Sequence, residues 1–307
     1  MKCIAFDTSN YTTSIACFDG KEGLNCSQLL PVKAGELGLR QSDAVFHHTK
    51  SLQELSGRLF SNIDPNSIEA VGVSTRPRAV EGSYMPCFAV GITQAILLAN
   101  ALHIPLYEFS HQQGHIAASA WSAGRMDLLE QTHLAWHLSG GTTELLLIEP
   151  EGKSIRCQRI GGSTDISAGQ LIDRTGQLLG LGFPAGKCLD TISLEAENND
   201  FFRVKCDGSN FSLSGVQNKV QQYHDHIGIA EETAGYALRC VADAVCTATK
   251  NALMIYPGLP VVFSGGVASN TLLRKTLAPL NGIFAEPKYS TDNAIGIAIL
   301  TYRAQEG

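Results

Sequence analysis

Apolar residues in this chain come in two rhythms. Short runs of strand length lie at residues 3–6, 15–18, 70–74, 104–109, 134–138, 145–148 and 260–263. Longer stretches, with apolar positions three and four apart, predict helices over residues 44–59, 88–102, 166–179 and 230–256, one beginning at His111, and a last one over 291–303. Residues 195–207 are polar and read as a connecting stretch. Strands alternating with helices place the chain in the α/β class.

One pattern occurs twice. Residues 3–18 and 134–148 each read as an apolar strand, a turn of small hydroxylated or glycine residues ending in Thr-Thr, and a second apolar strand. That is the signature of a β-hairpin. Its recurrence, once in each half, predicts two similar lobes facing a cleft, residues 1–130 and 131–307.

Composition narrows the class. With 307 residues, 44% apolar and 17% charged, the chain is long enough for two lobes and typical of a globular protein. No apolar run reaches the roughly 20 residues that span a bilayer. The first residues enter a strand pattern directly and lack the apolar core of a signal peptide, so a cytoplasmic location is expected. Nine scattered cysteines without a CxxC read as reduced thiols. A net charge of −6 argues against strong autonomous binding to nucleic-acid backbone, while leaving RNA open as a substrate.

The chemistry begins at Ser110-His111-Gln112-Gln113-Gly114-His115. Histidines four apart at the start of a helix share one face, one turn apart, and make half of a divalent-metal site. The pair follows an apolar strand, where α/β proteins place their ligands. Alone the signal is weak: most such pairs are surface histidines, and there is no Glu as in HExxH. Ser290-Thr291-Asp292-Asn293, before the last helix, has two readings. Thr291, Asp292 or Asn293 caps that helix, or Asp292 supplies a third metal ligand. Spacing does not decide between them.

Further constellations concern anions. The hairpin turns, with Thr8 and Ser9 in the first and Ser139, Gly140, Gly141 and Thr142 in the second, offer nests for phosphate oxygens, and Asp7 is placed to hold a metal, a water or a ligand hydroxyl. Ser264-Gly265-Gly266-Val267-Ala268-Ser269-Asn270 links a strand to a helix and suits adenosine or its phosphate. Asp173 sits amid apolar residues, either buried for a purpose or on a polar stripe with Gln170, Arg174 and Gln177. Arg76, Arg78 and Tyr84 stand in a loop that reads either as anion recognition or as a surface loop with an internal Arg–Glu pair.

Taken in order, these motifs resemble the TsaD family of tRNA threonylcarbamoyl transferase components, once described as glycoproteases. The family's ETS turn is similar to Asp7-Thr8-Ser9, and its HMEGH to His111-Gln112-Gln113-Gly114-His115. Its SGGHTQL is similar to Ser139-Gly140-Gly141-Thr142-Thr143-Glu144-Leu145, and its DDAAGEAFDK to residues 165–173. Its YPGGP resembles Phe183-Pro184-Ala185-Gly186-Lys187, and its FSFSGLK resembles Phe211-Ser212-Leu213-Ser214-Gly215. Its GGVAAN and CTDNAAMIA resemble residues 265–270 and 290–298.

The resemblance implies an actin-like ATPase fold of the sugar kinase and Hsp70 type, two lobes around a nucleotide cleft, with the last helix packing back on the first lobe. It implies one divalent metal, iron or zinc, on His111, His115 and Asp292. It implies ATP or an acyl-adenylate contacting Gly169, Asp173, Gly186, Gly265, Gly266 and Asn270. The implied reaction carries a threonylcarbamoyl group from threonylcarbamoyl-AMP to adenosine 37 of tRNA, with TsaB-like and TsaE-like proteins as partners. No residue is singled out as a general acid or base.

The chain also departs from the family pattern. Tyr11 and Thr12 replace acidic residues, residues 76–86 replace GPGLVGSL, Gln113 replaces Glu and Thr142 replaces His. These departures suggest a divergent paralogue and keep a second reading: a metal- and adenine-nucleotide-binding protein with a changed acceptor or no transferase activity. A metalloprotease ranks third, because no general base accompanies the histidines.

Overall fold

A computed structural model describes residues 1–9, 11–31, 39–290 and 292–307. In chain order the elements are β1 (Lys2–Asp7), β2 (Thr12–Phe18), β3 (Gly23–Leu29), α1 (Gln41–Phe60), β4 (Ile68–Arg76), α2 (Phe88–Leu102), β5 (Leu106–Ser110), α3 (His111–Ser122), β6 (His133–Leu138), β7 (Thr143–Glu151) and β8 (Ser154–Ser163). There follow α4 (Ala168–Leu178), α5 (Gly186–Ser193), β9 (Cys206–Asp207), β10 (Asn210–Phe211), α6 (Ser214–Ile227), α7 (Ala230–Ile255), β11 (Val261–Ser264), α8 (Thr271–Leu277), β12 (Ile283–Phe284) and α9 (Ile295–Glu306). Two compact units result. Met1–Gln131, Glu149–Cys157 and Asp292–Gly307 form the first; Thr132–Ile148 and Gln158–Thr291 form the second.

The first unit is built on a sheet of order β3-β2-β1-β4-β5. β1 to β3 are antiparallel, whereas β1, β4 and β5 run parallel. A parallel strand is covered on both faces, which explains the unbroken apolar run of β1. Ile4 and Phe6 pack with Leu52, Leu55 and Leu59 of α1 and Val90 and Ala95 of α2. On β4, Gly72 instead lies against Ile297 and Thr301 of α9. α9 also crosses α3 where Gly296 meets Gly114, so closely that a Cβ on Gly296 would collide with the Gly114 carbonyl. This crossing sets the segment before α9 beside the first turn of α3.

The second unit's sheet has the order β12-β11-β6-β7-β8-β10-β9. β6 and β7 pair antiparallel, and β11 pairs parallel with both β6 and β12. Its core gathers Trp136, Leu138 and Leu145 against α7, whose small residues Ala234, Ala237, Ala244 and Ala248 let neighbours approach. Trp136 is fully buried, and its indole N–H finds the Thr249 hydroxyl at 2.8 Å.

Helix α2 spans the predicted residues 88–102. α9 starts later than expected, at Ile295, because residues 292–294 turn aside: the Asn293 side chain accepts from Ile295 N at 3.1 Å. Thr291, another of the three capping candidates, lies outside the described residues. α5 and α6 were not foreseen. All nine cysteines are free thiols, and no helix among the described residues is long and apolar enough to cross a membrane.

Candidate metal centre

The parallel strands β1, β4 and β5 bring Asp7, Arg76 and Ser110 to one carboxyl edge of the first unit's sheet, with Arg76 directly opposite Ser110. Ser110 then starts α3 through a capping box. Its hydroxyl accepts from Gln113 N at 3.3 Å, and Gln113 Oε1 accepts from Ser110 N at 2.7 Å. The other end of that amide, Nε2, donates to the Ile155 carbonyl at 2.7 Å. A Glu could not make this last bond, so the replacement of Glu by Gln in the motif has a local use.

With the helix start so held, His111 and His115 face the same side. Their Nε2 atoms are 2.9 Å apart. Asp292 Oδ1 lies 3.5 Å from His111 Nε2 and 3.3 Å from His115 Nε2. Three adjacent corners around a cation with bonds of about 2.1 Å are roughly 2.9–3.4 Å apart, so these three atoms fit one ion. Two imidazoles and one carboxylate form the donor set of many iron and zinc sites. His115 is only 2% exposed, His111 12% and Asp292 19%.

Behind His111 stands Asp7, 1% exposed, whose Oδ2 accepts from His111 Nδ1 at 2.7 Å and whose Oδ1 accepts from Ser9 N at 2.9 Å. The Ser9 hydroxyl is also 2.9 Å from His111 Nδ1. A carboxylate on one ring nitrogen leaves the lone pair on the other, Nε2, which is the atom turned toward His115 and Asp292. Burial disfavours charge on His111, but Asp7 and Asp292 together outweigh it and lift its pKa to about 10. Burial, and then the neighbouring His111, push His115 down, so it is the neutral ring of the pair. Burial also opposes charge on Asp7 and Asp292; His111 and Ser9 nonetheless hold the Asp7 carboxyl, and both histidines the Asp292 carboxyl, below the usual range.

Other sequence candidates are engaged within the fold. The Thr8 hydroxyl donates to Cys87 O at 2.9 Å and accepts from Gly91 N at 3.1 Å, tying β1 to α2. Arg76 lies partly buried at the end of β4, Arg78 in the loop beyond it, and Tyr84 is 72% exposed.

In the second unit, the Ser139–Thr142 turn closes with Ser139 N donating to Thr142 O at 2.8 Å and Thr142 N to Ser139 Oγ at 3.1 Å. Gly140 and Gly141 are exposed at its tip, and Gly169 at the start of α4 lies against Gly140. On the other side Gly265, at φ +89°, abuts the Leu138 carbonyl, an approach and a backbone angle that only glycine meets without strain. Three small-residue segments thus converge, with Gly266 exposed beside them.

Asn270 caps α8 through Leu273 N at 2.9 Å and donates to Asp190 at 2.8 Å. Asp173, half-buried, accepts from Ala185 N at 2.9 Å, just before Gly186, and burial raises its pKa. Asp173 thus serves the start of a neighbouring helix. Asp190, missed in the sequence, does the same for α8 by accepting from Thr271 N at 3.0 Å, as Asp165 does for α6 from Leu213 N at 2.9 Å. An aspartate four residues into a helix gives no hint that it caps a different one.

Comparison with known proteins adds a family and a fold. The family model for TsaD, tRNA N6-adenosine threonylcarbamoyltransferase, matches residues 36–299. An Archaeoglobus fulgidus protein called tRNA N6-adenosine threonylcarbamoyltransferase is 27% identical over 278 residues, covering 90% of this chain and 81% of that one. A Streptococcus suis protein of the same name is 33% identical over 230 residues, covering 72% and 65%. Among solved structures, HypF of T. kodakarensis superposes with a TM-score of 0.66 at 13% identity, covering all of this chain and 48% of that one. A ROK family glucokinase from Streptomyces griseus, in complex with glucose and AMPPNP, gives 0.54 at 12% over the whole of both chains. The fold is therefore that of actin-like ATPases and sugar kinases.

Proposed function

The chain belongs to the TsaD family, and we propose that it transfers a threonylcarbamoyl group from threonylcarbamoyl-AMP to the exocyclic amine of an adenosine in tRNA. The observation that carries the proposal in this chain is the convergence of His111, His115 and Asp292 on one point, backed by Asp7. These three would hold a divalent metal, iron or zinc, which when bound supplies Lewis-acid polarisation of the carbamoyl oxygen. Asp7 keeps the proton of His111 on Nδ1, so that Nε2 presents a lone pair. His115 stays neutral because it is buried beside His111. In the transfer, the bond from adenosine N6 to the carbamoyl carbon forms as the bond from that carbon to the phosphate oxygen breaks. AMP leaves, and the amine proton is released. Within the second unit, the glycine-rich segments around Gly140, Gly169 and Gly265 are proposed to offer an adenine nucleotide close backbone approach.

The test is reconstitution. Purified protein, zinc or ferrous iron, threonylcarbamoyl-AMP, TsaB-like and TsaE-like proteins and unmodified tRNA are combined, and the tRNA nucleosides are analysed. The expected product is threonylcarbamoyladenosine, reduced by a hundredfold or more in His115→Ala and Asp292→Ala. A chain that binds metal and nucleotide but leaves the tRNA unmodified would favour the second reading, a TsaD-like binding protein with another acceptor. The charged loop at Arg76 and the replacements at Gln113 and Thr142 are what keep that reading in play.

A further inference from the structure

Arg76 ends β4 and pairs across the sheet with Ser110, the residue before His111. Paired strands run about 4.8 Å apart, so this arginine is rooted next to the metal-bearing turn. The chain after it is tied to the same turn, since Pro77 O accepts from Gln112 N at 3.1 Å. The loop beyond closes on itself through Arg78 N and Ser83 Oγ at 3.0 Å. Partly buried, Arg76 makes one hydrogen bond, from Nη1 to Thr75 Oγ1 at 3.3 Å, and no ion pair among the described residues. Most of its five N–H donors are therefore unspent.

The local charge balance makes this informative. A divalent cation on neutral His111 and His115 is matched by the carboxylates of Asp7 and Asp292. Nothing in that centre is left to neutralise a guanidinium. A partly buried positive charge of this kind is stabilised by an anion that arrives with a ligand. We propose that Arg76 pairs with an oxyanion of the bound acyl-adenylate: either the carboxylate of the acyl group, in which case it sets which acyl group the site accepts, or the phosphate, in which case it holds the adenylate whatever its acyl group. The inference rests on the acyl-adenylate reading of the metal centre and deepens it.

Calorimetric titration of the zinc-loaded full chain separates the sources. The probes are AMP, threonylcarbamoyl-AMP and its analogue with the acyl carboxylate converted to carboxamide. If the anion is the carboxylate, Arg76→Gln weakens threonylcarbamoyl-AMP by about 10- to 100-fold, leaves AMP unchanged, and no longer distinguishes the carboxamide. If it is the phosphate, AMP weakens by the same factor. Arg76→Lys, which keeps the charge and loses the fork, falls between wild type and Arg76→Gln in either case. Zinc content and melting temperature confirm that the variants are folded. Unchanged binding of both nucleotides by folded Arg76→Gln, where wild type binds them, overturns the role of Arg76 alone. Wild type that takes zinc but binds neither nucleotide overturns the acyl-adenylate reading, and this inference with it.

Discussion

At the scale of single residues, the candidate centre depends on an aspartate that does not itself reach the ion. Asp7 and His111 are 104 positions apart in sequence, yet their side chains meet at 2.7 Å. The HxxxH spacing made the one-turn separation of the imidazoles legible, because helix geometry is local. The approach of Asp7 and of Asp292 was not legible, because only the stacking of β1, β5 and α9 creates it. Asp7→Asn isolates the contribution of the carboxylate. The amide oxygen still accepts from His111 Nδ1, so the ring keeps its place, but the negative charge that strengthens the ligand is gone. Zinc affinity, read by competition with a chelating dye, is expected to fall about 10- to 100-fold with the fold intact. Affinity equal to wild type would mean that Asp7 serves only the fold.

Among elements, the α3–α9 crossing determines whether Asp292 meets the histidines. Gly296 sits where the helices touch, and an added methyl there would drive into the Gly114 carbonyl, which is backbone and cannot swing away. Gly296→Ala is expected to cost roughly 1–3 kcal/mol of stability. It should also weaken zinc binding, since α9 carries the Asp292 segment with it. Gly140→Ala, at a position with open space around it, is the matched control and should change stability little. A denaturant titration of both variants with and without zinc tests this; equal behaviour of the two would remove the crossing from the account. The elements themselves were unevenly readable. α2, with its long apolar content, announced its full span. α6 buries only Val216 and Val220, has no side-chain cap of its own, and borrows Asp165 for its start. A mostly polar helix stabilised from elsewhere leaves little periodicity to read, and eight-residue α5, served by Asp173, leaves less.

For the molecule as a whole, the buried charges of the candidate centre predict how stability follows pH. In the metal-free chain, His111 is raised from 6.5 to about 10. Its contribution is complete below pH 6.5 and is lost as pH climbs toward 10. His115 is shifted down, so its contribution is present above pH 6.5 and is lost as pH falls below that value. Asp7 and Asp292 are held below the ordinary carboxyl value of 3.8, so they contribute above about pH 4 and fail under acid. The melting temperature of the metal-free chain should therefore peak near pH 6.5 and decline on both sides. Zinc adds most on the alkaline side. It takes the place of the proton on His111 Nε2, so binding strengthens as that proton becomes easier to lose, and the gain in stability grows with pH. Thermal melts at pH 5, 6.5, 8 and 9 with and without zinc measure this directly. A zinc-induced rise that is the same at every pH would show that no proton is displaced, and hence that His111 is not a ligand.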